Sequence, residues 1–192
     1  MKKLFALILT LILILSLVAC SNDSDPSNGE SDSSIPPSSS SAVFSGDVTG
    51  TIEGQVYNND FAELTFTAPA DWIYPDFTVM DLDISAPYPS FITVQVDVGR
   101  TTDNVSAEEH LEMIFDGYSS EIYKEYGYER VGDFGKTTIR GNDYIVMELN
   151  SNLAGNTVKQ YHLARVKEGH IIFITFMCGD SNDYDTAFSY FS

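Results

Sequence analysis

The segment His170–Cys178 constrains the fold most, because both of its faces are apolar. Ile172, Ile174 and Phe176 alternate with Ile171 and Phe173, which is typical of a strand covered on both sides. Two helices are predicted to provide that cover, one from Ser106 to Tyr126 and one from Asp183 to Phe191. The pattern therefore predicts an α/β protein, an α/β/α sandwich around a mainly antiparallel sheet.

The helix Ser106–Tyr126 has clear start and stop signals. Ser106 followed by Glu109 is a capping box, and Gly127 is a suitable C-terminal stop. One stripe recurs at helical spacing and consists of Leu111, Ile114, Phe115, Tyr118 and Ile122. We expect this stripe to pack on the sheet.

The remaining strand-like segments are separated by short turns. They are Gln55–Asn58, Glu63–Ala68, Phe91–Val98, Arg130–Arg140, Tyr144–Asn150 and Thr157–Lys167. Turn residues such as Gly141-Asn142 and Glu168-Gly169 lie between the later strands. Connections this short predict antiparallel neighbours.

The first 20 residues have the three parts of a secretory signal. Two lysines precede a short apolar core, and the stretch from Leu4 to Ala19 has 16 residues, where a spanning helix needs about 20. Leu17-Val18-Ala19-Cys20 resembles the lipobox of bacterial lipoproteins. The resemblance implies that residues 1–19 are removed and that Cys20 becomes the lipid-modified N-terminus. A transmembrane helix is the alternative.

Residues 21–45 contain many serines, three prolines and four acids, and almost nothing to bury. Together with Cys20 they form the predicted tether, a disordered linker with an r.m.s. reach of roughly 25–30 Å. Residues 46–192 form one predicted globular domain. This organisation predicts a monomeric domain held on the outer face of the bacterial cell membrane.

The charge balance limits the partners. The chain has 28 acidic and 10 basic residues, and loss of Lys2 and Lys3 gives a mature net charge of about −20. This charge argues against nucleic acid and against docking on anionic lipid headgroups. The charge is compatible with a cationic partner or a metal ion, and its simpler role is to keep the protein soluble.

Cys178, the only cysteine besides Cys20, is predicted to be a buried apolar residue.

Several motifs of the domain also resemble those of a known group. Gly54-Gln55-Val56-Tyr57-Asn58-Asn59-Asp60-Phe61 is followed by Phe66, Pro69 and Trp72, and the helix begins Ser106, Glu109, Leu111. These residues resemble bacterial lipoproteins with the PsbP-like/Mog-like fold. The resemblance implies an α/β/α sandwich and a non-catalytic role in binding proteins, as in a subunit of the photosynthetic oxygen-evolving complex and a nuclear-transport factor.

No cofactor, metal site or catalytic motif is predicted. His110, His162 and His170 lack the spacing of zinc ligands, and we expect three ordinary surface or edge histidines. The segment 180–185 is similar to a calcium loop but lacks its central glycine and closing glutamate. N-capping of the last helix explains these acids more simply.

The aromatic loops are the candidate partner-binding surface. Tyr74, Phe77 and Tyr88 lie among prolines, and aromatic side chains of this kind make good anchors. Trp72 is expected in the core. Asp71, Asp76, Asp81 and Asp83 would form an acidic rim.

Two further hypotheses are a tethered hydrolase that uses Asp81, Asp83 and Asp97 with a metal ion, and a solute-binding lipoprotein that uses the aromatic loops.

Overall fold

The computed structural model describes residues 47–75, 79–87, 92–101, 105–153, 155–179 and 181–192. Cys20, Phe77, Tyr88 and the segment before residue 47 lie outside these residues, so the predictions about them stay predictions. Within the described ranges, no helix is long and apolar enough to cross a membrane.

Ten strands and two α-helices make up the described part of the domain. The strands are β1 (Thr51–Glu53), β2 (Val56–Asn59), β3 (Leu64–Thr67), β4 (Leu82–Ser85), β5 (Thr93–Arg100), β6 (Glu129–Arg130), β7 (Gly135–Ile139), β8 (Asn142–Leu153), β9 (Asn156–Lys167) and β10 (His170–Cys178). The helices are α1 (Ala107–Tyr118) and α2 (Ser181–Phe188), with a short 3₁₀ helix at Lys124–Tyr126.

The strands form two antiparallel sheets. The small sheet has the order β1-β2-β3, and the large sheet has the order β4-β5-β10-β9-β8-β6, with β7 also paired to β8. β10 is central and pairs with β5 on one side and β9 on the other. The predicted antiparallel sheet is confirmed, and so is the covering of its most apolar strand on both faces.

Each face of the large sheet has its own core. On one face, Leu111 of α1 packs against Met147, Leu149, Ala164 and Ile171. On the other face, Ala187 of α2 and residues of the small sheet pack against Val94, Val96, Ile174 and Phe176. Trp72 is buried in this second core, as predicted, and its ring lies 6.0 Å from that of Phe66. Cys178 is also buried there, as predicted.

The long helix ends earlier than its sequence predicts. The capping box at Ser106 and Glu109 forms as expected, but α1 ends at Tyr118 and the chain turns at Ser119. The Ser119 N–H still bonds to the Phe115 carbonyl as in a helix, and the Ser119 hydroxyl bonds to the same carbonyl. The next backbone bonds, from Ser120 to Gly117 and from Tyr123 to Ser120, span three residues, so the chain continues in tighter turns. Ile122 is consequently exposed instead of completing the apolar stripe.

The predicted strand Arg130–Arg140 is interrupted. β6 and β7 are separated by a turn in which Gly132 has φ = 71°, and the two strands pair with different stretches of β8. Two-residue turns with positive φ at both positions, Arg140-Gly141 and Glu168-Gly169, close the β7–β8 and β9–β10 hairpins. Such turns match the twist of paired strands, so the hairpin registers are set locally.

Candidate functional site

Polar side chains line one face of the sheet edge formed by β4 and β5. Asp83 lies directly across from Gln95, and Asp81, immediately before β4, approaches Asp97 of β5. Because side chains alternate along a strand, Gln95 and Asp97 point away from the core that buries Val94 and Val96. We call Asp81, Asp83, Gln95 and Asp97 the acidic face. It lies on the same side of the sheet as α1.

The acidic face is largely removed from water. Asp83 is 7% exposed and Gln95 is 8% exposed, whereas Asp81 and Asp97 are half-buried. Among the ion pairs of the described residues, none joins these three carboxylates to a basic side chain. Buried charges are normally paired, so an unpaired group of carboxylates requires an explanation.

The environment favours the protonated form of each carboxyl. Burial, and next the charge of Asp97, raise the pKa of Asp81 to about 6, while the backbone N–H of Val98 opposes this rise. Burial raises the pKa of Asp83 to about 6, and the amide of Gln95 opposes that rise. Burial also raises the pKa of Asp97. Perturbed carboxyls of this kind are typical of binding and catalytic sites.

Two polar atoms of the acidic face are buried without a hydrogen-bond partner. They are Oδ2 of Asp81 and Nε2 of Gln95. The Gln95 amide approaches Asp83 closely enough to lower its pKa, but Nε2 does not complete a hydrogen bond. An unsatisfied buried polar atom costs about 1–3 kcal/mol. The acidic face is therefore built at a cost to stability.

Of the three acids named in the hydrolase hypothesis, Asp81 lies close enough to Asp97 for the charge of Asp97 to raise its pKa, whereas neither acid influences the pKa of Asp83. Asp81, Asp83 and Asp97 share the acidic face. Within the described part of the chain, no three Asp, Glu, His or Cys side chains are arranged to hold a metal ion. The three carboxylates thus belong to one surface, but they are not placed as the ligands of a metal ion.

Tyr74 is the one aromatic residue of the predicted partner-binding surface that the structure describes. It is partly buried and packs against the core on the α2 side, and its hydroxyl is buried without a partner. Burial accordingly raises its pKa. The preceding Ile73 pairs with Ser85 at the edge of β4 and is 59% exposed. Tyr74 thus contributes to the core beside the strand that carries Asp83.

The prediction of three surface or edge histidines is wrong for His162 and His170. Both are buried, and His162 is completely inaccessible. Its Nε2 lies 3.2 Å from Oε1 of Gln160, and its Nδ1 lies 3.2 Å from Oγ1 of Thr175. Burial, with the added influence of His110, lowers its pKa to about 3, so the ring is neutral. His162 has paired strands on both sides, and this central position carried no local sequence signal.

Ser151, Gln160, His162 and Thr175 form what we call the buried polar row. Nε2 of Gln160 donates to the Ser151 hydroxyl at 3.1 Å. The His162 ring also stacks on Phe173, with centroids 5.6 Å apart. Each ring nitrogen and the Gln160 amide has a partner, so this row is a closed network that fixes the packing under α1.

A polar cleft of about 540 Å³ lies at one end of the domain. Its lining residues are Asn59, Asp60, Glu63, Leu64, Thr65, Arg140 and Asn142. Glu63 pairs with Arg165 and Lys167, whose side chains also bond to the Ala62 and Phe61 carbonyls. These contacts attach the β2–β3 turn to β9. They give Glu63, one charged residue of the cleft, a structural role.

Comparisons with known proteins show the fold. The solution structure of cyanobacterial PsbP (CyanoP) from Synechocystis sp. PCC 6803 is similar, with a TM-score of 0.54 and 14% sequence identity, over 77% of this chain and 94% of that chain. The chain has the PsbP-like α/β fold. No protein-family model matches the chain. No curated protein matches it.

Two further solved structures are more distantly similar. LpqN of Mycobacterium tuberculosis, described as involved in cell envelope biogenesis, has a TM-score of 0.42 and 15% identity over 66% of this chain and 76% of that chain. A protein from Bacteroides thetaiotaomicron VPI-5482 has a TM-score of 0.47 and 9% identity over 73% of this chain and 48% of that chain.

Proposed function

We propose that this protein is a membrane-anchored extracytoplasmic lipoprotein whose PsbP-like domain is a non-catalytic protein-binding module. Cys20 carries the lipid, residues 21–45 form the tether, and the domain works at the outer face of the cell membrane. The anchor is supported by the Leu17-Val18-Ala19-Cys20 motif after a short apolar core. Two or more acyl chains give stable membrane binding without a polybasic segment.

The observation that supports the binding role is the acidic face on β4 and β5, whose carboxylates lack a basic partner among the described residues. Two exposed apolar residues are near it in the chain: Ile73, which pairs with Ser85 of β4 and is 59% exposed, and Val79, two residues before Asp81, which is 45% exposed. A protein interface typically combines apolar anchors with polar groups that select the partner by charge. Tyr74, Phe77 and Tyr88 remain proposed partner-binding residues, and Tyr74 packs against the core on the α2 side, across the sheet from the acidic face.

The second candidate is a metal-dependent tethered hydrolase. It is favoured by one observation, the convergence of Asp81, Asp83 and Asp97 with raised pKa values. A metal ion would need ligands at fixed distances around one point, and the described side chains do not provide them. Binding is therefore the better supported role.

Mass spectrometry of the protein extracted from membranes tests the anchor. We expect a mature N-terminus at Cys20 with a diacylglyceryl mass, and loss of both the lipid and membrane retention in Cys20→Ala. Ser21→Ala is the matched control, because it changes the next residue and leaves the motif intact. An intact Met1 or cleavage at another bond would contradict the proposal.

Cross-linking in native membranes tests the binding role. A photoreactive residue in place of Val79 lies beside the acidic face, and the same residue in place of Met113 on α1 is the control, since both side chains are exposed. We expect one envelope protein to be captured from position 79 and not from position 113.

Metal-dependent turnover of a hydrolase substrate that is lost in Asp81→Ala and Asp83→Ala would instead establish the second candidate.

A further inference from the structure

We infer that the polar cleft binds a zwitterionic phospholipid headgroup, so that the cleft end of the domain faces the membrane. This inference rests on the proposed lipid anchor and adds the orientation of the domain to it. The cleft lies between the β2–β3 turn, which contributes Asp60, and the β7–β8 turn, which contributes Arg140. Its volume of about 540 Å³ is within the range of small-molecule sites.

The first argument is the pair of opposite charges that line the cleft. Arg140 and Asp60 both belong to the lining, and the ion pairs of the described residues include neither of them. Acids outnumber bases in this chain, and most other basic residues of the domain have an acidic partner. A ligand with one positive and one negative group is complementary to these two side chains.

The other polar residues of the lining are held by the fold. Asn59 is buried, and its amide has three hydrogen-bond partners within the domain. Glu63 is neutralised by two basic residues of β9. Arg140 is itself positioned, because its guanidinium group donates to the Thr65 hydroxyl at 3.2 Å. A guanidinium group has several further N–H donors, and these can bind an anion.

The second argument is the place where the chain enters the domain. Asn59 lines the cleft, and its Nδ2 donates to the Val48 carbonyl at 2.8 Å. Val48 is the second residue of the first described range, so the proposed tether reaches the domain beside the cleft. Gly155 in the β8–β9 turn lies at the other end of β8, roughly 36 Å along the strand. An anchor joined near Val48 therefore favours an orientation with the cleft towards the membrane.

The overall charge selects the kind of headgroup. A mature net charge of about −20 opposes contact with anionic headgroups, whereas a zwitterionic headgroup has no net charge. Its phosphate can bind the Arg140 guanidinium group, and its ammonium group can bind the Asp60 carboxylate. Even a weak site is occupied, because a flexible tether holds the domain near the membrane at an effective concentration in the millimolar range.

Soluble probes test the site without a membrane. The main probe is glycerophosphoethanolamine, which carries the phosphodiester and the ammonium group of the headgroup. Glycerol 3-phosphate and ethanolamine each carry only one sign of charge, and alanine is a zwitterion that represents free solutes. The readout is the NMR signal of the Arg140 guanidinium group and of the Asp60 carboxyl group. The sample is the full lipidated protein in a maltoside detergent, which has no charged headgroup.

We expect glycerophosphoethanolamine to shift both signals, and each probe of a single charge sign to bind at least about tenfold more weakly. Arg140→Gln and Asp60→Asn should each weaken glycerophosphoethanolamine by a similar factor, with the amide spectrum showing that each variant is folded. Lys136→Gln and Asp133→Asn make the same changes at exposed sites outside the cleft and should have no effect.

Three results with the soluble probes would overturn the inference. The first is equal or tighter binding of alanine, which would assign the cleft to a free solute. The second is equal binding of glycerol 3-phosphate or ethanolamine, which would mean that one charge is sufficient. The third is the absence of any shift at millimolar concentrations.

Nanodiscs that contain phosphatidylethanolamine test the orientation. A spin label at the lipid headgroups should broaden the amide signals of Thr65 and Asn142 and leave that of Gly155 unchanged. Arg140→Gln should reduce the broadening at the cleft. Equal broadening at both ends of β8 would overturn this inference and leave the lipid anchor standing. An intact Met1 together with binding of glycerophosphoethanolamine would overturn the proposed anchor and leave the cleft site standing.

Discussion

The buried polar row and the acidic face lie side by side on one face of the same sheet, and they are built in opposite ways. Thr175 of β10 connects them, because it bonds to His162 on one side and lies across from Gln95 on the other. Both regions are polar and mostly buried. In the row every described donor and acceptor of His162 and Gln160 has a partner, whereas the face leaves Asp81 Oδ2 and Gln95 Nε2 without one.

The comparison shows which polar groups stabilise the fold and which reduce its stability. A satisfied network in a low-dielectric interior rigidifies its surroundings, while an unsatisfied one costs the full desolvation of its groups. The row lies under α1, where shape and hydrogen bonds fix one packing. The face lies at the edge of the sheet, and its two unpartnered atoms are buried there.

The largest expected effect is the loss of the ring at the centre of the row. His162→Ala should destabilise the domain by about 3–5 kcal/mol, because it removes a fully buried ring and leaves Gln160 and Thr175 without their partner. Urea unfolding followed by circular dichroism measures the effect. His110→Ala, on the half-buried surface of α1, is the control and should cost clearly less. Equal losses would contradict a special role for the row.

The acidic face should respond in the opposite direction. Asp83→Asn should stabilise the domain by about 2–3 kcal/mol at pH 8, since a neutral amide avoids burying a charge whose pKa is raised to about 6. Asp133→Asn makes the same chemical change at an exposed site and should have little effect. A loss of stability in Asp83→Asn would mean that the carboxylate has a favourable partner.

A matched pair of glutamines compares the two regions directly. Gln160 and Gln95 are both buried and lie on the same face of the sheet. Gln160→Leu should cost about 1–3 kcal/mol, because it leaves Ser151 and His162 unpaired. Gln95→Leu should not destabilise the domain and should raise its stability by up to about 1–3 kcal/mol, because it removes the unpartnered Nε2. Thermal unfolding of both variants measures the two changes in stability. Equal costs would remove the distinction between row and face.

The dependence on pH has opposite signs in the two regions. The folded pKa of His162 is about 3, below its ordinary value of 6.5, so its contribution to stability is lost as pH falls through this range. The folded pKa values of Asp81 and Asp83 are about 6, above their ordinary value of 3.8, so stability from these groups increases as pH falls towards 4.

We therefore expect the stability of the parent protein to stay level or to rise slightly between pH 6.5 and pH 4.5, because two aspartates gain stability where one histidine loses it. The variant that combines Asp81→Asn with Asp83→Asn should lose stability more steeply as pH falls. In this variant, the two aspartates no longer offset the loss that the protonation of His162 causes. Each proton involved changes the slope by at most about 1.4 kcal/mol per pH unit. The measurement is the urea midpoint across this range. Identical profiles in the two proteins would show that the aspartates titrate as if exposed.

The sequence predicted the layers of the fold because hydrophobic periodicity acts locally. The two-sided apolar strand His170–Cys178 required cover on both faces, and α1 and α2 provide it. The length of α1 was less predictable, since the choice between a further helical turn and the tighter turns after Ser119 depends on small energy differences. A predicted apolar residue, Ile122, was left exposed as a result.

The site was only partly predictable. The acids Asp81, Asp83 and Asp97 were identified as a candidate group, but their common face depends on the β4–β5 register, which follows from tertiary pairing. Gln95 was missed. Gln95 and Asp97 are two positions apart in the strand Phe91–Val98, so both point to its polar side. This spacing was the one signal in the sequence that could have identified Gln95.

The way the chain enters the domain has a mechanical consequence. β1 is exposed at all three residues, and the contacts before it include the close approach of Gly50 to the Tyr57 ring, the hydrogen bond from Asn59 to the Val48 carbonyl and the packing of Val48 on the core. In the proposed tethered protein, release of the nine residues from Asp47 to Gln55 would add up to about 30 Å to the reach of the domain without unfolding the large sheet.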